Sequence, residues 1–187
     1  MLSTTINYVI SNNAAFKQRS NETMKMIPPV SDELTHKHHW LQGMVRNATD
    51  FGLNVLGSYL DSGRYDQLLG FLGMFDLGTF TAFNGDGTDF TGVGGGQHHR
   101  VKMDEDHSFD FCIGFTNPSS GSYKAGIVAS SNPKDAYDAS KAEGGYIESG
   151  LYEAKDTDGK TVQFKFHITA GAGQHSEYQI TMIRHSE

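Results

Sequence analysis

The chain has 187 residues, of which 37% are hydrophobic and 20% are charged, values that are ordinary for a folded domain and argue against global disorder. The net charge of −7 argues against nucleic acid as the main partner, because neutralising phosphates requires a basic face. The single cysteine, Cys112, excludes an intrachain disulfide, and its apolar neighbours in "SFDFCIGF" favour a quiet packing role over a nucleophilic one.

The N-terminal 27 residues are polar and contain neither a basic n-region nor the apolar run of an export signal. We therefore expect cytoplasmic synthesis without a signal peptide, followed by release if the protein acts on target membranes. Beyond the prolines at 28–29, Ser31 is a candidate helix N-cap. Five apolar residues then fall on one helical face: Leu34, Leu41, Met44, Val45 and Ala48. This spacing predicts an amphipathic helix over 32–48 within an N-terminal extension of residues 1–50.

Residues 51–77 fit either short helical turns or an irregular strand, because glycines interrupt both patterns. From about residue 78 the apolar residues alternate with polar ones, most clearly over 108–115, 161–168 and 177–182. Turn signals separate these runs: "NGDG", "DEDH", "NPSSG" and "DTDG". The sequence therefore predicts a mainly β fold, an antiparallel β-sandwich or barrel over residues 51–187.

The glycines at 94–96 do not form a phosphate loop, since a strand pattern and not a helix follows them. They predict a turn between strands, with either a purely structural role or close backbone contact with a small polar ligand.

The histidines and acids do not make an enzyme site in this sequence. His98 and His99 are neighbours on a strand and point to opposite faces, whereas His36 and His39 share a face of the predicted helix. One such pair is too few for a zinc site. The acids at 104–106 are typical of a solvated turn, and no nucleophile elbow or HExxH pattern occurs. We expect no enzymatic activity, no metal and no cofactor.

Short motifs in a fixed order resemble those of the mushroom fruit-body lectins, which share a β-sandwich with the actinoporin pore-forming toxins. The matching segments are Gly78–Thr81, Thr91–Gly96, Arg100–Met103, Asp104–Phe109, Phe111–Asn117, Tyr123–Val128 and Leu151–Ile168. The resemblance covers about residues 51–184. It implies an actinoporin-like antiparallel sandwich with an N-terminal helical extension, and it favours a strand over 51–59.

The resemblance implies a sugar site at the glycines. In these lectins the turn glycines and the end of the following strand line a shallow pocket for galactose-type sugars. The corresponding residues here are Gly94, Gly95, Thr116 and Asn117. Thr116 stands where the family has a histidine, which implies a different sugar preference or affinity.

Two further family sites are represented only in part. Gly126 and Ala129 stand where the lectins have an aspartate and a threonine for N-acetylglucosamine, which implies that this second pocket is lost. Actinoporins bind choline head groups through clustered aromatic rings. The candidates for that role here are Tyr123, Tyr137 and Tyr146.

The hypothesis drawn from the sequence is a non-enzymatic, homo-oligomeric protein of the cytolysin or lectin type that recognises cell-surface glycans or lipid head groups. Helix 32–48 either packs on the domain or inserts into a membrane to form pores. Two alternatives stay open. One is a structural or assembly protein whose N-terminal arm docks on a neighbouring copy, and the other is a metal-dependent enzyme built on the histidines.

Overall fold

The computed structural model describes residues 2–30, 32–85 and 91–186. The strands are β1 Thr4–Ile10, β2 Trp40–Ala48, β3 Leu53–Ser62, β4 Arg64–Gln67, β5 Phe71–Leu72, β6 Asp76–Phe83, β7 Val93–Lys102, β8 Ser108–Asn117, β9 Lys124–Val128, β10 Gly145–Glu148, β11 Tyr152–Asp156, β12 Thr161–Gly171 and β13 His175–Ser186. The helices are α1 Asn13–Met24, α2 Asp32–Thr35 and α3 Pro133–Asp138. The protein is mainly β, as predicted.

Two sheets form the sandwich. The larger has the order β1-β11-β12-β13-β2-β6-β4, with β10 also paired to β12, and the smaller has the order β5-β3-β7-β8-β9. Most pairs are antiparallel, but β1 runs parallel to β11 and β2 runs parallel to β13. Both parallel pairs involve the first 50 residues, which therefore supply strands to the larger sheet.

Aromatic side chains from both sheets fill the space between them. Phe80 of β6 lies 5.1 Å from Phe115 of β8, measured between ring centroids, and 6.3 Å from Tyr178 of β13. All three side chains are fully buried. Tyr178 donates a hydrogen bond to the Gly114 carbonyl oxygen (2.7 Å), so its hydroxyl is satisfied inside the core. Residues of β6, β8 and β13 thus meet at the centre of the sandwich, as the period-two patterns of β8 and β13 predict.

The predicted helix over 32–48 is wrong. Only the four residues of α2 are helical there, and Trp40–Ala48 form β2, which pairs with both β13 and β6. Eight of the nine β2 residues are buried, so the strand shows no polar alternation and its apolar residues fall by coincidence at helical spacing. A pore built by releasing 32–48 would require the removal of an interior strand of the larger sheet.

The longer helix of the N-terminal region is α1. The Asn12 side chain caps it by accepting a hydrogen bond from the Ala15 N–H (3.0 Å). Its buried residues are Phe16 and Thr23, and the rest of its surface is largely polar. Since it presents no continuous apolar face, α1 is a packed structural helix and lacks the amphipathic pattern of a membrane-inserting one. Ser31, the proposed cap of 32–48, lies outside the described residues.

The predicted alternating strands and two of the predicted turns agree with the structure. Strands β8, β12 and β13 contain the three alternating runs, and β3 confirms the strand favoured for 51–59. The turns predicted at "DEDH" and "DTDG" connect β7 to β8 and β11 to β12. The "NGDG" signal falls partly on residues 86–90, which lie outside the described residues.

The glycines at 94–96 lie within β7, so the predicted turn is wrong there as well. Helix α3 packs directly on the outer face of the smaller sheet, over β7, β8 and β9. A Cβ atom on Gly96 would lie 2.2 Å from the Pro133 carbonyl oxygen, and one on Gly114 would lie 2.1 Å from that of Ala136. These glycines are therefore needed because the helix backbone passes closer to the sheet than any side chain allows.

Replacing Gly114 by Ala should displace α3 from the sheet, because the added methyl group overlaps the Ala136 carbonyl oxygen. Such overpacking typically costs 1–3 kcal/mol, so we expect a loss of about 2 kcal/mol in urea unfolding and faster amide exchange across α3. Gly57→Ala is the matched control, since nothing lies within 4 Å of a Cβ atom at that strand position. Equal effects of the two substitutions would contradict this explanation of the glycines.

Candidate functional site

The four residues implied as a galactose site lie next to one another on β7 and β8, but three of them are buried. Gly94 pairs with Thr116, and Asn117 pairs with Val93. The Asn117 amide donates to the Trp40 carbonyl oxygen (2.9 Å) inside the protein, and a Cβ on Gly95 would lie 2.2 Å from the Tyr59 carbonyl oxygen. Only Thr116 is partly exposed. The four residues are therefore neighbours in the sheet, but they do not form an open sugar-binding surface.

The three candidate head-group tyrosines do not form one cluster. No ring contact joins any two of Tyr123, Tyr137 and Tyr146, all of which lie in the described part of the chain. Tyr137 of α3 packs over Gly94 and lies 5.7 Å from the Tyr59 ring. Lys134 already occupies the cation position over Tyr59, 5.8 Å from its centroid. Tyr59 and Tyr137 therefore form a closed structural contact.

The ionisation of Tyr137 is consistent with this closed contact. Burial raises the pKa of the Tyr137 hydroxyl to about 12, with a further contribution from the neighbouring Asp61 carboxylate. The Tyr59 hydroxyl also lies against Asp61, to which it donates a hydrogen bond of 3.3 Å. Both hydroxyls therefore lie close to Asp61, and both rings are partly exposed.

Tyr146 is different because its side chain projects into solvent at an open pocket. It is 67% exposed and lies on β10, opposite Thr169 of β12. The adjoining pocket has a volume of about 500 Å³. Its lining residues, which define the Tyr146 pocket, are Gly126, Ile127, Ala139, Lys141, Glu143, Gly144, Gly145 and Tyr146. The pocket therefore combines one aromatic face with a cation and an anion.

The loop that forms this pocket is fixed by backbone contacts. Lys141 and Ala125 exchange two N–H to carbonyl hydrogen bonds of 3.1 Å, which attach the loop to β9. Gly144 has a φ of +67°, and a Cβ there would lie 1.9 Å from the Ala170 carbonyl oxygen. A glycine is required at this turn, and the pocket is formed before any ligand arrives.

Charged side chains surround the tyrosine. Its ring lies 5.3 Å from the His167 ring, and His167 Nδ1 lies 3.1 Å from a Glu148 oxygen. Lys165 also pairs with Glu148. Hydrogen bonds from Lys165, and then from His167, lower the pKa of the Glu148 carboxyl, so it stays ionised at neutral pH. In the pocket lining, Lys141 Nζ lies 3.6 Å from a Glu143 oxygen.

The histidines considered as metal ligands do not come together in the structure. His98 and His99 do point to opposite faces: His98 Nε2 lies 3.2 Å from Asp110, and His99 is fully buried in the core. Helix α2 ends at Thr35, so the helical pairing of His36 with His39 is wrong. Among the described residues, no group of three histidine, cysteine, aspartate or glutamate side chains converges to hold a metal ion.

Cys112 is buried, and burial raises the pKa of its thiol to about 12, with smaller contributions from Asp135 and Asp110. The thiol donates to the Ser130 carbonyl oxygen (3.1 Å). This placement agrees with the unreactive packing role predicted for Cys112. In the part of the chain that the structure describes, no helix has both the length and the apolar character needed to span a bilayer.

Comparison with known proteins adds a structural likeness. No family model matches the sequence, and no curated protein does. Among solved structures, the chain is similar to one described as the lipid binding protein Nakanori, at 14% identity and a TM-score of 0.49. The match covers 93% of this chain and 80% of that chain.

Proposed function

We propose that this protein is a non-enzymatic binding protein that recognises a cell-surface glycan through the Tyr146 pocket. The observation that supports the proposal is the exposed Tyr146 ring beside a preformed pocket that carries both Lys141 and Glu143. A pyranose has an apolar C–H face that can lie on an aromatic ring and hydroxyls that both donate and accept hydrogen bonds. An exposed ring flanked by a donor and an acceptor suits such a ligand.

A glycan suits this pocket better than a choline head group does. A quaternary ammonium is recognised by a cage of several aromatic rings. Among the described residues, Tyr146 is the one aromatic residue that lines the pocket, and its ring contact is with the His167 imidazole. Tyr123 and Tyr137 make no ring contact with it. Binding of a choline head group is therefore the second candidate function. The binding experiment described next distinguishes it from glycan binding.

The proposal predicts that Tyr146→Ala will reduce glycan binding at least tenfold. The loss follows from the missing ring face, whereas Tyr146→Phe keeps that face and should retain most of the affinity. Wild type and variants would be applied to a glycan array, and the strongest hit would be titrated by calorimetry. Binding to vesicles that contain choline lipids, including sphingomyelin, would be measured in parallel and tests whether the pocket binds a head group instead.

Tyr123→Ala is the matched control, because Tyr123 is another partly exposed tyrosine outside the pocket. Its glycan affinity should equal that of wild type. Equal losses in Tyr123→Ala and Tyr146→Ala, or no glycan bound above background, would rule out the Tyr146 pocket as a sugar site. Binding to choline vesicles alone would favour the head-group reading instead.

A further inference from the structure

A row of polar side chains begins at Tyr146 and crosses the outer face of the larger sheet. Tyr146 of β10 lies directly opposite Thr169 of β12, and Thr169 lies directly opposite Gln179 of β13. Residues that lie opposite each other on neighbouring strands point to the same face of the sheet. His167 shares this face because it lies two residues before Thr169 on β12. These four residues are called the polar row below.

The polar row is accessible from solvent. The residues that alternate with it along β12 and β13 are all buried: Phe166, Ile168, Ala170, Tyr178 and Ile180. By contrast, His167, Thr169 and Gln179 are partly exposed, and Tyr146 is fully in the exposed class. Since neighbouring strands lie about 4.8 Å apart, the row extends about 10 Å from Tyr146 to Gln179. It is therefore longer than a single sugar ring.

Each of the other three side chains in the row keeps one hydrogen-bonding group without a partner among the described residues. The Thr169 hydroxyl can both donate and accept. The Gln179 amide nitrogen donates to a Glu177 oxygen (2.7 Å), which leaves the amide oxygen as an acceptor. His167 Nδ1 lies 3.1 Å from a Glu148 oxygen. An ionised carboxylate only accepts, so Nδ1 carries the proton and Nε2 is an acceptor in the neutral imidazole.

The charged side chains around the row compensate one another. The ion pairs are Lys165 with Glu148, Arg46 with Glu177 and, in the lining of the Tyr146 pocket, Lys141 with Glu143. A charged ligand would therefore meet no uncompensated opposite charge on this surface. Hydroxyl groups both donate and accept, so they suit the open groups of Thr169, Gln179 and His167.

We propose that the Tyr146 pocket and the polar row together bind a neutral oligosaccharide of at least two linked units. This inference rests on the proposed function, because the first unit lies on the Tyr146 ring. The second unit lies on the row, where its hydroxyls bond to Thr169, Gln179 and His167. The His167 and Tyr146 rings contact each other, with centroids 5.3 Å apart and planes inclined by 31°. The row therefore continues directly from the aromatic surface of the pocket.

The test compares single sugars with disaccharides on the isotope-labelled full chain. Methyl glycosides of glucose, galactose and mannose would be titrated beside maltose, cellobiose, lactose and mannobiose, and the amide chemical shifts would be followed. At least one disaccharide should bind at least tenfold more tightly than the methyl glycosides of its units. Only disaccharides should shift the amides of Thr169 and Gln179. Sialyllactose, which adds a negative charge to lactose, should bind no more tightly than lactose does.

Two substitutions test the row without removing the Tyr146 ring. Thr169→Val keeps the shape of the side chain and removes its hydroxyl, so it should weaken disaccharide binding about fivefold and leave single sugars unchanged. His167→Phe keeps a ring beside Tyr146, removes Nε2 and should have the same selective effect. Thr79→Val, at a partly exposed threonine of β6, is the matched control and should bind both classes as wild type does. Thermal unfolding checks that all three variants fold.

The outcomes separate this inference from the proposed function. Disaccharides that bind no more tightly than single sugars, with shifts confined to the surroundings of Tyr146, would overturn the polar row and leave the pocket standing. Equal effects of Thr169→Val and Thr79→Val would also overturn the row, and tighter binding of sialyllactose than of lactose would overturn the neutral ligand. An absence of shifts with every disaccharide would overturn the row, and the glycan array with Tyr146→Ala then decides the pocket by itself.

Discussion

Replacing His99 by Phe should remove a large part of the acid sensitivity of this fold. His99 is fully buried, its ring stacks on Phe111 with centroids 5.3 Å apart, and neither ring nitrogen has a hydrogen-bond partner among the described residues. Burial, with a smaller contribution from the neighbouring His98, lowers the pKa of His99 to about 3. The imidazole is therefore neutral in the folded protein at every pH near neutrality.

The direction of the pH effect follows from linkage. The unfolded chain protonates His99 near its ordinary pKa of 6.5, whereas the folded chain does so only near pH 3. Between these values the unfolded state binds the extra proton, so the free energy of unfolding falls as the pH falls. A shift of this size is worth roughly 5 kcal/mol in total, and roughly 3 kcal/mol of it is lost by pH 4.

Urea unfolding at pH 7, 5 and 4 measures this effect. We expect His99→Phe to be as stable as wild type or slightly more stable at pH 7, because two unpaired buried nitrogens are removed. At pH 4 it should exceed wild type by roughly 3 kcal/mol. His185→Gln, at an exposed histidine of β13, should retain the wild-type pH dependence. Parallel curves for wild type and His99→Phe would show that His99 does not govern the acid response.

A strand could be predicted from the sequence where one of its faces packs in the core and the other is exposed to solvent. In β12 and β13 that arrangement gives a clean alternation, and the predicted runs 161–168 and 177–182 both lie inside these longer strands. It could not be found in β2, because one face of that strand lies in the core and α1 covers part of the other: Arg46 of β2 donates to the Met26 carbonyl oxygen (3.0 Å) just beyond the helix. Burial on both faces erases the period of two.

The candidate site was predicted in part. Tyr146 was identified as a candidate head-group aromatic, but its pocket depends on Lys141 and Glu143, which lie in a loop with no sequence motif. The glycines of β7 were identified in the sequence, but the structural requirement for them was not predicted. They accommodate the backbone of α3, which follows β9 in the chain, and a contact between distant segments has no local signal. The asparagine pair at 12–13 was the available cue for α1, since asparagine favours N-cap positions.

Breaking the buried ion pair between Arg184 and Asp50 should destabilise the protein by about 3–5 kcal/mol. The two side chains are 5% and 4% exposed, and Arg184 also lies 3.7 Å from the Phe16 ring. Arg184→Met preserves most of the apolar volume and leaves Asp50 as an uncompensated buried charge. The loss should appear in urea unfolding at pH 7.

The same pair joins the N-terminal segment to the sheet, which gives a second readout. Asp50 accepts a hydrogen bond from the Ser11 N–H (3.0 Å), and Arg184 donates to the Ser11 carbonyl oxygen, so both charges hold the junction between β1 and α1. In Arg184→Met we expect faster tryptic cleavage at Lys17, Arg19 and Lys25, all of which are exposed. If the released arm docks on a neighbouring copy, as the assembly alternative requires, light scattering should then detect a dimer or larger species.

The double variant Arg184→Met/Asp50→Leu is the control for the charge itself. Removing both charges should restore most of the lost stability, because replacing a buried pair by apolar residues of similar volume is often close to neutral. Lys134→Ala tests an ion pair at the surface, with Asp138, and should change the free energy of unfolding by less than about 1 kcal/mol. A double variant as unstable as Arg184→Met would show that the hydrogen bonds to Ser11, and not the opposed charges, stabilise the junction.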